Sequence, residues 1–360
     1  MFIGAEFGLF VSFNGGQAWQ KWEVELPNTP ITDLVIHPRD YDLVIGTFGR
    51  SFYILDDIRP LRALASASGP TIVNKDIHVF DIPDTYLWMI GESIGYRFGK
   101  VGDSYFNGDN RPTGALISYH ASKEGEARFD ITDISGDTIR TFYRKAKTGV
   151  NRHDWNLRSD AMRAPNQAKP RKESRPGFFV APGEYTCHVS IGKQSASAIV
   201  NVMADPRMPK VPNDQIKEKV ELQNNFNAIV QKATVAMDEV RSLQESLEII
   251  EKILDKENTE DETLTSEIEN TKKALKKMHE RMLGEEKQGI YRMPDVLTSM
   301  IRNSQYLLDF VLAPANANQQ NMLRLTSVAV DTFITDLANL KKQEMQSIMD
   351  YCSSKNLQLF

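Results

Sequence analysis

The sequence predicts a multi-domain protein of the β plus α class, with strand-rich regions followed by a helical one. Its 360 residues are more than a single domain usually holds. Short apolar runs separated by Gly, Pro and Asn, typical of strands, fill 1–60 and 104–207. From residue 213 the apolar residues recur every three or four positions, which indicates amphipathic helices. The predicted organisation is therefore 1–60, a linker 61–103, 104–207, and a helical region 213–355.

The first region, 1–60, contains an internal repeat. The segment IGAEFGLFVS begins at Ile3 and the similar IGTFGRSFYIL at Ile45, which is 42 positions later. A strand-only repeat of about 40 residues has the period of a β-propeller blade. We predict that this region forms one or two terminal blades of an incomplete propeller.

Residues 61–103 show no firm period and are predicted to be an irregular linker. Its aromatic side chains, among them Tyr86, Trp88 and Phe98, are expected to pack against neighbouring domains because large rings are costly to leave in water.

Regularly spaced strands over 104–207 predict a small β-sandwich. Two hairpins are expected there, one turning at 135–137 and one at 192–193, where Gly lies between alternating apolar residues. The intervening segment 163–177, RAPNQAKPRKESRPG, is rich in Pro, Lys and Arg and is predicted to be a mobile, solvated surface loop. Binding of an acidic partner by this loop is the alternative.

The region 213–355 predicts four helices with short connections, which favours an antiparallel four-helix bundle or a set of helical hairpins. The third helix is expected to begin at Pro294 and to end near Leu312, and the fourth to run from about Gln319 to Ser353. The predicted apolar stripes are Phe226, Val230, Ala233, Met237, Val240, Leu247, Ile250 and Leu254; Leu264, Ile268, Thr271, Leu275, Met278 and Met282; and Met322, Leu325, Val328, Thr332, Leu337, Leu340, Met345 and Ile348. The methionines are interpreted as bundle packing, with a groove for a partner helix as the alternative.

Composition argues against several classes of function. A formal charge of −5 gives no reason to expect nucleic acid as a partner. No apolar run is long enough to span a membrane, and no signal peptide is visible. Cys187 and Cys352 lie in regions of different character, so a disulfide between them is not favoured. The sequence indicates neither a metal site nor a cofactor.

The segment 12–19, SFNGGQAW, carries the most specific motif. A short polar side chain at Asn14 is suited to accept hydrogen bonds from backbone N–H groups and to hold a turn between two strands. The glycines, Gly16 included, supply positive φ, and Trp19 is expected to pack back on the sheet. With Ser12, these residues resemble the Asp-box, S-x-D-x-G-x-T-W, of BNR-type propellers found in sialidases and sortilin-like receptors. Asn14 stands where that box has its acid, and the resemblance implies a structural turn outside the active centre.

The similarity extends over most of the chain. The segments around ITDLVIHPRDYDLVIGTFGRSFYILDD look like the final blades of large bacterial propeller proteins that are often labelled glycosyl hydrolases. Region 104–207 resembles the Ig-like domain related to flagellar hook-capping proteins, and the helices resemble the tail of such proteins. The resemblance implies an exported protein, periplasmic or extracellular, with further blades before the first one here. We therefore expect Met1 to be an internal start, a truncated gene or a fragment boundary.

No set of side chains converges on a reaction. The charged residues available for sialidase-like chemistry in the first region are Glu6, Asp33, Arg39, Arg50, Asp56 and Asp57. Arg50 follows a glycine on a predicted strand and is a candidate for ligand binding in the propeller channel, with a salt bridge to Asp56 or Asp57 as the favoured alternative. The pair Asp56 and Asp57 is weak as a catalytic couple because neighbours on a strand point to opposite faces.

The remaining candidates have structural interpretations. His37 is expected to pack at a turn. Trp155 is expected in the sandwich core or at a strand edge, with a ligand platform as the alternative. His120, His153 and His188 lack ligand spacing. We hypothesise a non-catalytic binding or scaffolding role, with a protein or glycan ligand bound through the propeller and the remaining blades as partners. The alternative is a glycoside hydrolase, sialidase-like, whose active centre lies in upstream blades.

Overall fold

The computed structural model describes residues 1–88, 111–257, 262–285 and 296–354. Within these ranges it has sixteen strands and seven helices, which confirms the β plus α class. No helix within them combines the length and the apolar character that crossing a bilayer requires.

The chain divides into two compact units. The first, here the strand unit, consists of Met1–Ser159 and Pro182–Lys210. The second, here the helical unit, consists of Asp160–Ala181 and Val211–Phe360.

The beginning of the strand unit forms two three-stranded antiparallel sheets, ordered β1-β2-β3 and β4-β5-β6. These strands are β1 Phe2–Ala5, β2 Gly8–Val11, β3 Gln20–Lys21, β4 Ile31–Ile36, β5 Leu43–Thr47 and β6 Phe52–Leu55. Leu9 and Leu43 lie in one shared core and are almost fully buried. A Cβ at Gly4 would lie 2.5 Å from Cγ2 of Ile31, so the glycine allows β1 to approach β4 closely.

The β4-β5-β6 sheet is also apolar on its other face. Val35 is opposite Val44, which is in turn opposite Ile54, and this row of side chains crosses the sheet. Val35 and Ile54 are each 53% exposed, and Phe52 is 66% exposed. An apolar sheet face of this kind is typical of a surface that another element covers.

The segment predicted to be an irregular linker has regular structure up to residue 88. It contains the short helices α1 Arg59–Leu64 and α2 Gly69–Val73, followed by β7 Ile77–Val79 and β8 Thr85–Leu87. These two strands join the sheets formed by the following region, so the prediction of irregular structure was wrong there. Phe98 lies outside the described residues.

Two further sheets of the strand unit are ordered β11-β10-β15-β16-β8 and β12-β9-β7. Their other strands are β9 Ala115–Ala121, β10 Gly125–Thr132, β11 Thr138–Ala146, β12 Gly149–Trp155, β15 Gly183–Ile191 and β16 Gln194–Ala204. The chain also forms β13 Arg158–Asp160 and β14 Pro176–Phe179, which pair in a separate two-stranded sheet. Both predicted hairpins are confirmed, and their turn glycines have positive φ, 86° at Gly136 and 61° at Gly192.

Aromatic rings fill the space between these two sheets. Tyr119 on β9 meets Phe129 on β10 edge-on, with ring centroids 5.6 Å apart. Trp155 on β12 meets Tyr185 on β15 at the same centroid distance, 5.6 Å. Trp155 is 1% exposed, which confirms its predicted place in the core. Cys187 on β15 is a free, buried thiol whose pKa burial raises to about 12.

Histidines in this unit make its stability depend on pH. Burial lowers the pKa values of His78, His120 and His153. In the unfolded chain these groups titrate near pH 6.5, so below that pH the unfolded state binds more protons than the folded state. The free energy of unfolding is therefore expected to fall as the pH drops from 7.5 to 5.5. This range lies above the pKa values of most carboxyl groups, so the histidines dominate the change. Urea midpoints at several pH values measure this.

The double variant His120→Gln/His153→Gln is expected to flatten that dependence, because it removes two of the three groups. A midpoint in the unmodified chain that stays constant or rises towards pH 5.5 would contradict the assignment.

The helices of the helical unit share one hydrophobic core. They are α3 Asn213–Glu257, α4 Glu262–Leu283, α5 Leu297–Leu308, α6 Ala317–Glu344 and α7 Gln346–Ser354. The predicted stripe of α4, from Leu264 to Met282, is buried throughout. Met345 and the free Cys352 are buried in the same core. Packing by Met278, Met282 and Met345 is thereby confirmed.

Three details of the predicted helices were wrong. The third ends at Leu308 rather than Leu312, and the fourth is interrupted at Met345. The expected start of the third, Pro294, lies outside the described residues. The buried stripe of α6 also differs from the predicted one and consists of Gln319, Leu323, Thr326, Val330, Phe333 and Leu337. Val328, which we expected on the core side, is 54% exposed.

Candidate functional site

The turn at 12–19 is held by its own side chains. The Ser12 hydroxyl accepts a hydrogen bond from the Gly16 N–H at 2.8 Å and donates one to Asn14 Oδ1 at 3.0 Å. Asn14 Oδ1 also accepts from the Ala18 N–H at 2.9 Å. Gly15 and Gly16 have φ values of 72° and 93°, which side chains with a Cβ rarely adopt. These residues thus close the loop that joins β2 to β3.

Trp19 is half-buried, and its ring lies beside Gly16. The tryptophan that packs against the shared core of the first two sheets is instead Trp22, whose ring N–H donates to the Val24 carbonyl at 3.0 Å. Sequence reasoning missed Trp22 because the motif drew attention to its neighbour.

Asn14→Ala is expected to lower the free energy of unfolding of the strand unit by about 1 kcal/mol, because the Ala18 N–H and the Ser12 hydroxyl lose their acceptor. Asn14→Asp keeps the acceptor and adds charge, so its stability should equal or slightly exceed that of the unmodified chain. Urea denaturation measures both. Gln17→Ala changes an exposed side chain of the same turn and is the matched control. Equal midpoints for Asn14→Ala and Gln17→Ala would contradict the structural role.

Arg50 lies in the turn between β5 and β6, not on a strand as we expected. The turn is built on Gly49 and Ser51, with φ values of 77° and 64°, and Arg50 is exposed. Among the described residues Arg50 forms no salt bridge with Asp56 or Asp57, and the carboxylate of Asp57 instead pairs with Arg59. Ligand binding by Arg50 stays a prediction.

A network of charged residues follows β6. Asp57 is 1% exposed and has a φ of 42°. Its Oδ1 accepts from Arg59 Nε at 2.5 Å, and its own N–H donates to Asp42 Oδ1 at 2.8 Å. Asp42 also pairs with Arg111 Nη1 at 3.3 Å. Asp57 therefore does not act as a pair with its sequence neighbour Asp56, because Arg59 holds the carboxylate of Asp57 inside the fold.

Arg152 on β12 anchors the same segment. Its guanidinium donates to the carbonyls of Asp56 and Asp57 at 2.6 and 2.7 Å, and to the Ser118 hydroxyl at 3.0 Å. Burial lowers its pKa, an effect that the carboxylates of Asp57 and Asp56 oppose. Burial also raises the pKa of Asp56 itself, which Arg111 opposes. Asp56 is thus a half-buried carboxyl group that takes up a proton more readily than an exposed one.

Beside this network lies a cavity of about 580 Å3, here the aromatic–charged cavity. Its lining combines charged side chains with Tyr86 and Trp88, whose rings are 5.3 Å apart at 50°. Arg207 lies over the Trp88 ring at 4.8 Å. The charged lining residues are Arg39, Asp40, Asp42, Arg59, Asp84 and Arg111. The Arg39 guanidinium holds the pKa of Asp40 below its usual range.

Aromatic faces next to paired donors and acceptors suit a ligand with both apolar and hydroxyl-bearing surfaces. Sequence reasoning named Tyr86 and Trp88 only as packing residues. It missed Arg111 and Arg152 because their partners lie far away along the chain, and it did not single out Arg59, whose partner Asp57 is only two positions away.

The histidines behave as structural residues. His37 accepts from the Asp40 N–H at a turn, as expected. His188 is within 3.3 Å of the Thr132 hydroxyl, and His120 and His153 lie on strands of the sheets. Among the residues that the structure describes, no group of three or more His, Cys, Asp or Glu side chains is arranged to hold a metal ion.

No protein-family model matches this chain, and no curated protein matches it. The resemblance to BNR-type propeller proteins therefore depends on the motifs of the sequence itself.

Proposed function

We propose that this chain is a non-catalytic binding and scaffolding segment of an exported propeller protein. In this proposal 1–60 supplies terminal blades, 104–207 is an Ig-like sandwich and 213–355 is a supporting helical bundle. The observation that carries the proposal is the hydrogen-bonded turn of Ser12 and Asn14. This turn belongs to the β1-β2-β3 sheet, whose strand β1 packs closely on strand β4 of the next sheet. Neighbouring propeller blades pack face to face in this way.

The partners we propose for this region are further blades. Val35, Phe52 and Ile54 offer them an apolar sheet face, and burying such side chains stabilises a contact by roughly 25 cal/mol per Å2 of apolar surface. This face is the expected position of a neighbouring blade.

The ligand we propose for the aromatic–charged cavity is a glycan. Sugar rings have apolar faces that stack on aromatic side chains such as Tyr86 and Trp88, while their hydroxyls bond to carboxylates and guanidinium groups. The ion pair of Asp40 with Arg39 supports binding rather than acid–base catalysis, because it favours the ionised carboxylate of Asp40.

Glycan-microarray binding by the purified chain tests this proposal. We expect binding that Trp88→Ala weakens at least tenfold, because the stacking platform is lost. Tyr306→Ala removes an 82% exposed aromatic side chain of the helical unit and serves as the control. Binding that both variants weaken equally, or no glycan binding at all, would contradict a glycan ligand, and capture of a peptide would favour the protein alternative.

One observation favours a second candidate, a glycoside hydrolase. The raised pKa of Asp56 is the property that a general acid requires. In that case other blades would supply the nucleophile.

A further inference from the structure

A second, smaller cavity lies in the helical unit, and we call it the arginine pocket. Its volume is about 180 Å3, and it is formed mainly by the segment 161–176, with one side chain from α5. The polar residues that line it are Arg163, Gln167, Arg171, Ser174, Arg175 and Gln305. The Pro, Lys and Arg content of 163–177 predicts a mobile, solvated loop here.

One wall of the arginine pocket is fixed to α3. Arg163 pairs with both carboxylate oxygens of Asp238, one of them at 3.0 Å, and its Nη1 also donates to the Gln167 carbonyl at 2.8 Å. The Thr234 hydroxyl donates to the Arg163 carbonyl at 2.6 Å. Arg241 donates to the Pro165 carbonyl and pairs with Asp238 at 3.0 Å. The start of the segment is therefore anchored to the helix, contrary to the prediction of a solvated loop.

The other end of the segment is tied back to its start. The Ala161 N–H donates to the Arg175 carbonyl at 2.8 Å, which sets the backbone position of Arg175. A pocket whose two rims are both held in place binds a ligand with less loss of conformational entropy than a free loop does.

The charge of the arginine pocket is not compensated. Within the described residues, the guanidinium groups of Arg171 and Arg175 have neither an ion pair nor a hydrogen bond, and no carboxylate lines the pocket. Asp238 is already shared by Arg163 and Arg241. The pocket therefore presents positive charge with unused N–H donors, and planar guanidinium groups pair well with carboxylate and phosphate oxygens.

The volume limits the size of the ligand. It is about the volume that six water molecules occupy in liquid water, which is enough for one oxyanion group with a short stem. We propose that the arginine pocket binds a single carboxylate or phosphate group of a ligand. Arg171 and Arg175 supply the charge, and Ser174 and Gln305 supply further hydrogen bonds. This site is separate from the aromatic–charged cavity and does not depend on the function proposed for it.

Titration of the full chain with sodium phosphate, and separately with sodium acetate, tests the proposal at constant ionic strength. Binding is followed through the arginine Nε–H resonances. We expect saturation with at least one of the two anions, and the anion that binds more tightly identifies the source of the oxyanion. Arg171→Gln/Arg175→Gln should weaken that binding at least tenfold.

Lys169→Gln/Lys172→Gln removes two positive charges from the same segment without touching the pocket lining, so it should change the affinity less than twofold. Gln305→Leu removes the polar lining group that α5 contributes and should also weaken binding. Because it leaves the loop unchanged, it tests the pocket even if the double arginine variant alters the fold of the loop. Shifts that never saturate with either anion would overturn the proposal. Equal weakening by the arginine and lysine pairs would also overturn it, since general electrostatic attraction would then explain the binding.

Discussion

Trp155→Ala is expected to lower the free energy of unfolding of the strand unit by about 3–5 kcal/mol. The side chain is 1% exposed, its ring packs against Tyr185, and its ring N–H donates to the Arg158 carbonyl at 2.9 Å. Alanine would leave a cavity between the two sheets and a carbonyl without its donor. The cavity would lie beside β12, which also carries Arg152, and the carbonyl that loses this donor is on β13.

Hydrogen exchange of peptides from β9 and β12 measures this effect directly, because it reports on the strand unit alone. Trp155→Phe keeps an aromatic ring but removes the ring N–H, so its loss of protection should be clearly smaller. Protection that remains unchanged in Trp155→Ala would contradict a core role and would return this residue to the alternative of a ligand platform.

Phe333→Ala should destabilise the helical unit by about 3–5 kcal/mol. Phe333 is fully buried, and the guanidinium of Arg281 lies 5.7 Å from its ring centre. The matched control is Val328→Ala, on the same helix but 54% exposed, for which the change should stay within about 0.5 kcal/mol.

Urea denaturation followed by circular dichroism at 222 nm compares the two variants. The sequence pattern alone assigns Val328 to the core, so the comparison separates the two possible stripes of α6. A larger loss for Val328→Ala than for Phe333→Ala would contradict the observed stripe.

Local chemistry explains the parts of the fold that the sequence predicts. The hairpins at Gly136 and Gly192 follow from turn residues between alternating strands, and the stripe of α4 follows from a single apolar spacing. The start of α6 has apolar residues on two stripes, among them Leu323 and Leu325, and only packing against other helices decides which one is buried. Tertiary context overrides the pattern in such cases.

Strands of three residues are too short to show a period. β7 and β8 form because β9 and β16 offer them free edges, which no local pattern reveals. A strand of this kind is predictable only from the sheet that it joins.

The difference between local contacts and contacts distant along the chain also applies to the candidate sites. The turn of Ser12 and Asn14 is local, and its hydrogen bonds follow from residue types at fixed spacing. The pairing of Arg152 with the carbonyls of Asp56 and Asp57 joins residues about 95 positions apart. The aromatic–charged cavity depends on such distant pairs, so the sequence indicated its aromatic residues without indicating the site.

The central proposal is that this chain binds a ligand without catalysing hydrolysis. The most direct test is turnover by the purified chain of 4-methylumbelliferyl sialoside and a panel of 4-nitrophenyl glycosides, with Asp56→Asn measured in parallel. The account predicts no release of either chromophore above the buffer rate for the unmodified chain. Release that accompanies the purified chain and is lost in Asp56→Asn would contradict it and would establish the hydrolase alternative.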